Sequence, residues 1–334
     1  MTAALLFVLS GLVIVVAGTS LARHADTIAE RSGLGRVWIG TILLAGATSL
    51  PELATDVAAV RFGAPDLAAG DLFGSSMANM LILAIIDLLP PRGRVLQRAT
   101  FDHALAACLA IALNALGAIF VLANGQRAIL GVGPESLVLL LVYVAGTRVV
   151  YRHTPSGAPR PVTAHSTGRD STSAPTLRRA LIAFAAAAVV ILAASPVFAY
   201  SAKQIAELTG LGQTFMGTWL VGLSTSLPEL VSSVAAVRMG AFDLAVGNLF
   251  GSNAFNMAIF FAVDVAHSGG PVFGVLAPEH ALSALFATVL MALGLGALVF
   301  RSEKRWAGVE PDSLLMLATY VVGMLMLYAH RGHG

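Results

Sequence analysis

Apolar positions in this chain come in long unbroken runs, each close to the ~20 residues a helix needs to cross the hydrocarbon core of a bilayer. Ten runs are legible, at about 2–22, 37–60, 66–89, 100–122, 134–151, 179–200, 213–238, 243–266, 277–299 and 309–330. Each predicts a transmembrane helix. The first run is long and Met1-Thr2-Ala3 puts no basic residue ahead of it, so it reads as an uncleaved span rather than a signal peptide. Residues 152–178 are rich in Ser, Thr, Pro and Arg, the composition of a flexible linker. The chain therefore divides into a five-helix unit at 1–151, a linker at 152–178 and a second five-helix unit at 179–334.

The two units are an internal repeat. Adding 177 to a position in the first lands on its counterpart in the second without a gap: Gly40-Thr41 on Gly217-Thr218, Thr48-Ser49-Leu50-Pro51-Glu52 on Thr225-Ser226-Leu227-Pro228-Glu229, and Gly74-Ser75 with Asn79 on Gly251-Ser252 with Asn256. The register also carries Ile28-Ala29-Glu30 onto Ile205-Ala206-Glu207, His103-Ala104-Leu105 onto His280-Ala281-Leu282, and Pro134 onto Pro311. Five spans is an odd number, so the second unit enters the membrane from the opposite face. The fold class expected is an all-α integral membrane protein of ten transmembrane helices in two inverted-topology repeats, with a site near the midplane where the repeats meet.

Composition agrees with that pattern and removes other classes. Hydrophobic residues make up 57% of the chain and charged residues 11%, far from soluble averages. The solvent is the lipid bilayer. A formal net charge of +2 gives no footprint for nucleic acid, and a lone Cys108 in an apolar stretch forms no intrachain disulfide. Basic residues are informative by position. One set of loops collects Arg23, Arg31, Arg36, Arg92, Arg94, Arg98, the linker arginines, Arg238, Arg301, Lys304 and Arg305, while the other has Arg61, Arg127, Lys203 and Arg331. The positive-inside rule puts the linker in the cytoplasm and both termini outside, in a plasma (inner) membrane. Oligomeric state is left open by the pattern.

A carboxylate inside a span costs at least ~2.5 kcal/mol, so it implies a partner or a task. Glu52 and Glu229 are such residues. Each follows a proline, which removes a backbone donor and kinks the helix, and the carbonyls of Ala45 and Gly222 are expected to be freed there. Thr48, Ser49, Thr225 and Ser226 add hydroxyl oxygens, with Thr48 and Glu52 on one helix face. Ser75 with Asn79 and Ser252 with Asn256 are i, i+4 pairs on the third and eighth spans, and glycines 70, 74, 247 and 251 permit close helix approach. The result is an all-oxygen cage suited to a hard cation; no histidine or thiolate sits among these motifs, as a transition metal would want.

Gly46-Ala47-Thr48-Ser49-Leu50-Pro51-Glu52 and Leu223-Ser224-Thr225-Ser226-Leu227-Pro228-Glu229, each followed by Gly-Ser-x-x-x-Asn, resemble the two alpha repeats of the calcium/cation antiporter superfamily, at about 40–80 and 217–257. The sodium/calcium exchanger branch, in its prokaryotic form, fits best, because the cation/proton branch usually carries Gly-Asn-x-x-Glu where this chain has Ser-Leu-Pro-Glu. The resemblance implies a secondary transporter, with no catalytic residues and no cofactor, that exchanges Na+ for Ca2+ by alternating access. By position, Glu52, Glu229, Thr48 and Thr225 take the calcium ligand roles, with Ala45, Ser49, Ser75, Gly222, Ser226 and Ser252 around the sodium sites. Some prokaryotic exchangers carry an aspartate at the position of Asn256. Here both matching positions are asparagine, so the cage is expected to hold two formal negative charges.

Several polar residues have competing readings. Asp71, the counterpart of Asn248, reads as a helix-end or capping residue or as an additional entrance carboxylate. Asp56, the counterpart of Ser233, serves structure, relays a proton or enlarges the site. Asp87 and Asp264 read as interfacial, mainly structural residues near span ends, and His103 and His280 as the starts of spans four and nine or as pH sensors. Three rivals to sodium-coupled exchange remain: antiport of Ca2+ or another divalent cation against protons, a passive channel, and an intramembrane enzyme using the paired glutamates as acid and base. The enzyme lacks any nucleophile, histidine or metal-ligand motif beside the glutamates.

Overall fold

The computed structural model describes residues 2–88, 95–129, 131–153, 176–207, 222–300 and 311–330. Nine helices among the described residues are long and apolar enough to cross a membrane. In chain order the first half has α1 (Thr2–Ser32), α2 (Arg36–Arg61), α3 (Pro65–Leu88), α4 (His103–Ala123) and α5 (Pro134–His153). The second has α6 (Leu177–Glu207), α7 (Leu227–Met239), α8 (Phe242–Ala266), α9 (His280–Phe300) and α10 (Pro311–His330). A short turn of helix, Gly222–Thr225, precedes α7. Most of the linker and the entry to the seventh run, including Gly217-Thr218, lie outside the described residues.

The halves interlock. α8 packs on α4 and α5 of the first half, α3 packs on α9 and α10 of the second, and α4 packs on α9. Burial follows this arrangement: α3 and α8 are the most enclosed of the spans, whereas α1, α5, α6 and α10 present much of their surface outward. Exposed apolar side chains such as Leu12, Val16, Ile182 and Val189 on those outer helices are what lipid contact requires. α1 and α6 form the most extensive helix pair, with Phe7 stacked on Phe198 at 4.4 Å, and α1 also leans on α7.

α2 is broken where the sequence predicts. Ile39–Leu44 is wound in wide i→i+5 turns, and the helix stops at Ser49, whose φ of −91° and ψ of 7° leave the helical region. It restarts at Leu50, so Pro51 falls in a first turn, where its missing N–H has no partner to lose. Ser226 makes the same break ahead of Leu227 and Pro228, with φ −76° and ψ 5°. Both breaks are buried.

Repeat-related nodes tie the halves together near the helix ends. His103 pairs with Asp243 at 3.2 Å and its counterpart His280 with Asp66 at 3.0 Å; Asp243 also accepts from the Thr100 amide and Asp66 from the Ala277 amide. Both histidines begin helices, as expected, but their acidic partners come from the other half. Asp87 accepts from the Leu96 amide at 3.0 Å and from Ser313 at 2.8 Å. Asp264 accepts from the amides of Gly133 and Val272, both at 2.7 Å, and from Ser136. These aspartates, 4% and 1% exposed, respectively, hold loops to helix ends.

Candidate functional site

Close helix crossings put the two broken segments against the enclosed helices. A Cβ on Gly247 would stand 3.1 Å from the Thr41 amide, and one on Gly251 would collide with the Thr41 carbonyl, so α2 can lie on α8 only where these side chains are absent. On the other side, a Cβ on Gly222 would lie 2.9 Å from the Gly74 carbonyl carbon and the Ser75 amide, which brings the Gly222–Thr225 turn onto α3. Small residues thus bring main-chain and hydroxyl oxygens of each repeat to the helix of the other.

Polar contacts in the center run between repeats. Ser49 Oγ donates to Glu229 Oε1 at 3.0 Å, and Ser252 Oγ reaches the same oxygen at 3.3 Å. Thr48 Oγ1 is 3.2 Å from Asn248 Oδ1 and its counterpart Thr225 Oγ1 is 2.7 Å from Asp71 Oδ1. The expected pairing of Thr48 with Glu52 along one helix face is therefore replaced by a contact across the repeats, because the helix breaks between them at Ser49. Ser75 Oγ lies 3.2 Å from both Asp71 Oδ1 and the Gly222 carbonyl and 3.1 Å from Thr225 Oγ1.

The carbonyls of Ala45 and Gly222 are not released by the prolines. Ala45 accepts the Ser49 amide at 3.0 Å and Gly222 the Ser226 amide at 3.2 Å. Ala45 and Gly222 keep a second lone pair each, and the Gly222 carbonyl uses it toward Ser75.

What remains unpaired defines the chemistry of the site. Both oxygens of Glu52, Oε2 of Glu229, the Ser226 hydroxyl, Asn79 Oδ1 and both polar atoms of Asn256 are buried without a protein partner. Buried polar atoms are nearly always hydrogen-bonded, so this concentration of orphaned oxygen marks a place for a ligand that accepts electron pairs, which a hard cation does. No three His, Cys, Asp or Glu side chains among the described residues converge on one point. The polar side chains gathered here are spread over several helices and rich in hydroxyls, unlike a compact transition-metal center.

Asp71 is not a helix end. It sits inside α3, fully buried, between the Thr225 and Ser75 hydroxyls, with Asp56 within electrostatic reach. Both lie within electrostatic reach of Glu52. Glu52, Asp56, Asp71 and Glu229 are all 0% exposed, and none is in an ion pair among the described residues.

Two asparagines that the repeated motifs do not single out are important here. Asn248, matched to Asp71 by the repeat, donates to Ser232 and Ser233 at 3.1 Å each. Asn253 accepts from Asn79 at 2.9 Å and donates to the Ser76 carbonyl at 3.3 Å, joining α8 to α3 at the center. Asn253 has Ser76 as its counterpart, so the repeat carries no asparagine signal at that position.

Comparison with known proteins places this geometry. The family model described as sodium/calcium exchanger protein matches residues 2–152 and 179–329, one match per half. The sodium/calcium exchanger MaX1 of Methanosarcina acetivorans is 28% identical over 97% of this chain and 98% of its own. The inner membrane protein YrbG of Escherichia coli is 26% identical over 97% and 96%. Among solved structures, the sodium-calcium exchanger NCX_Mj soaked with Na+ and Sr2+ superimposes with a TM-score of 0.69 at 21% identity, over 97% of each chain.

Proposed function

Because this chain belongs to the sodium/calcium exchanger protein family and is a membrane-embedded cation antiporter, we propose that it exchanges Na+ for Ca2+ by alternating access. The observation that carries this reading is the pair of buried glutamates, one from each repeat, with unpaired oxygens, one of them contacted by hydroxyls of both repeats. Ca2+ takes six to eight oxygens, Na+ also binds to oxygen, and carboxylate, hydroxyl, amide and carbonyl oxygens are all present.

Glu52 and Glu229 would hold Ca2+ with Thr48 and Thr225, while Ala45, Ser49, Ser75, Gly222, Ser226 and Ser252 serve Na+, with Asn79 and Asn256 completing the cage. Competition between the two ions for overlapping oxygens enforces exchange. A cavity with unneutralised buried carboxylates is costly to close away from water, so only the filled cage permits the outer pair α1 and α6 to slide over α2 and α7. The linker would lie in the cytoplasm and the termini outside. Substituted cysteines at Arg127 and in the linker, labelled from opposite faces in a Cys108→Ser background, check that orientation.

Proteoliposomes loaded with Na+ and diluted into Na+-free buffer with radioactive Ca2+ test the coupling. Uptake that requires internal Na+ and vanishes in Glu229→Gln supports Na+/Ca2+ exchange. Uptake that follows an imposed proton gradient without Na+ replaces it with Ca2+/H+ antiport, and rapid uptake independent of any counter-ion replaces it with a channel.

A further inference from the structure

The two asparagines of the repeated motif, Asn79 and Asn256, are equivalent in sequence and unequal in surroundings. Asn256 is buried with both polar atoms unpartnered, whereas Asn79 donates through Nδ2 to Asn253 Oδ1 at 2.9 Å and keeps its own Oδ1 buried and unpartnered. The direction of that bond is set from outside the motif. Asn253 meets the main-chain carbonyl of Ser76 at 3.3 Å, and a carbonyl only accepts, so the Asn253 amide nitrogen stands there and its oxygen stands on the other side. That oxygen in turn needs a donor, so Asn79 gives it the nitrogen and keeps the oxygen free. Turning the Asn79 amide over would set two buried oxygens against each other. Packing does not ask for an amide at position 253: its repeat counterpart is Ser76, whose hydroxyl bonds back to the Leu72 carbonyl of its own helix at 3.0 Å. Asn114 of α4, whose counterpart is Met291, donates to the Asn253 main-chain carbonyl at 3.4 Å and ties this node to a third helix.

We propose that Asn253 is a positioning residue for ion binding: through the Ser76 carbonyl it holds the Asn79 amide in the one orientation that offers oxygen, not nitrogen, to a cation. This inference rests on the reading of Asn79 as part of the cage. An asparagine side chain has an accepting end and a donating end of nearly the same shape, and only the accepting end attracts a cation. Fixing the choice before the ion arrives removes an ordering cost from binding, as preorganisation does in any site. Asn253 touches no ion in this scheme; its effect passes entirely through Asn79. Asn256 has no such clamp, because Ser76, which takes the place of Asn253 in the other half, spends its hydroxyl within α3. Its amide is oriented by the ion itself.

The test is a double-mutant cycle read by equilibrium binding of radioactive Ca2+ and Na+ to the purified full chain. Asn79→Ala identifies the cation that uses this oxygen. Asn253→Ala is expected to weaken that same cation about 10-fold when Asn79 is present and less than about 2-fold in the Asn79→Ala background. A residue that only supports packing weakens binding equally in both backgrounds, and such additivity overturns the proposal. So does an Asn79→Ala variant that binds both cations as wild type does. Where Asn253→Ala fails to fold, wild type decides by NMR with an isotope label at asparagine Cγ. The Asn79 signal, assigned by its absence from Asn79→Ala, is expected to shift on addition of cation, and a signal that neither cation moves overturns the proposal. Failure of wild type to bind either cation would overturn the reading of the cage itself, and this inference with it.

Discussion

Ser49 donates to Glu229 across the repeats at 3.0 Å, whereas its counterpart Ser226 leaves its hydroxyl without a protein partner and Glu52 has neither oxygen engaged. Two glutamates that are equivalent in sequence therefore differ in surroundings. One is pre-oriented by protein hydroxyls and the other is free to meet an ion.

That inequality separates two serine variants. Ser49→Ala removes a hydrogen bond to a charged group, about 1.5–3 kcal/mol, and is expected to lower cation affinity ~10- to 100-fold. Ser226→Ala leaves the unfolding temperature of the ion-free protein unchanged and weakens binding only through the lost ion contact. Glu52→Gln and Glu229→Gln each remove a charge that opposes a buried cation, about 3–5 kcal/mol, so Ca2+ uptake falls more than ~100-fold. Ca2+ uptake by proteoliposomes and thermal unfolding with and without ions are the measurements.

The glycines make a matched set. Gly251→Ala drives a Cβ into the Thr41 carbonyl and the Ala45 side chain, and backbone cannot yield as a flexible side chain does, so a loss of about 1–3 kcal/mol is expected. A Cβ added to Gly46, on the same broken helix as Thr41, would meet nothing within 4 Å. Gly46→Ala is expected to be neutral or to gain up to ~1 kcal/mol from helix propensity. Thermal unfolding in detergent ranks the pair, and equal behaviour would contradict the tight α2–α8 crossing.

The spans and both glutamates were legible in the sequence because bilayer thickness dictates run length, and because a buried carboxylate beside a proline, written twice at one offset, is too costly to persist without a task. The partnerships were not. An offset of 177 matches residues that occupy equivalent positions, such as Ser49 with Ser226, but the cavity is built from non-equivalent contacts between repeats: Ser49 with Glu229, Thr48 with Asn248, Thr225 with Asp71, Asn79 with Asn253. Asp71 misleads for a related reason. Its place in the first half of a span suggests a water-facing helix end, and only the turn at Gly222–Thr225 packing on α3 encloses it.

Asp264 gives a prediction about assembly of the halves. Ser136→Ala deletes one of its donors but leaves the Gly133 and Val272 amides in place, for a cost of about 1 kcal/mol. Asp264→Ala instead strands two buried amides and a hydroxyl, each worth about 1–3 kcal/mol when unsatisfied, and is expected to abolish folding or lower the unfolding temperature sharply. Comparable stability of the two variants would show that the node does not hold the loop before α5 to α8.

The moving pair can be trapped. A Cβ built on Gly18 of α1 lies 3.3 Å from Cβ of Val231 on α7, a few tenths of an ångström short of the ~3.5–4.5 Å separation usual for a disulfide. G18C/V231C in a Cys108→Ser background therefore links α1 to α7 on mild oxidation. If α1 must slide on α7 between the two access states, the oxidised protein stops exchanging Na+ for Ca2+ yet binds Ca2+ at its original affinity, because neither residue contributes an oxygen to the cage. Reductant restores transport. Full exchange by the cross-linked protein would assign the motion to other helices, and loss of both binding and transport would mean that the link distorts the Glu229 segment of α7.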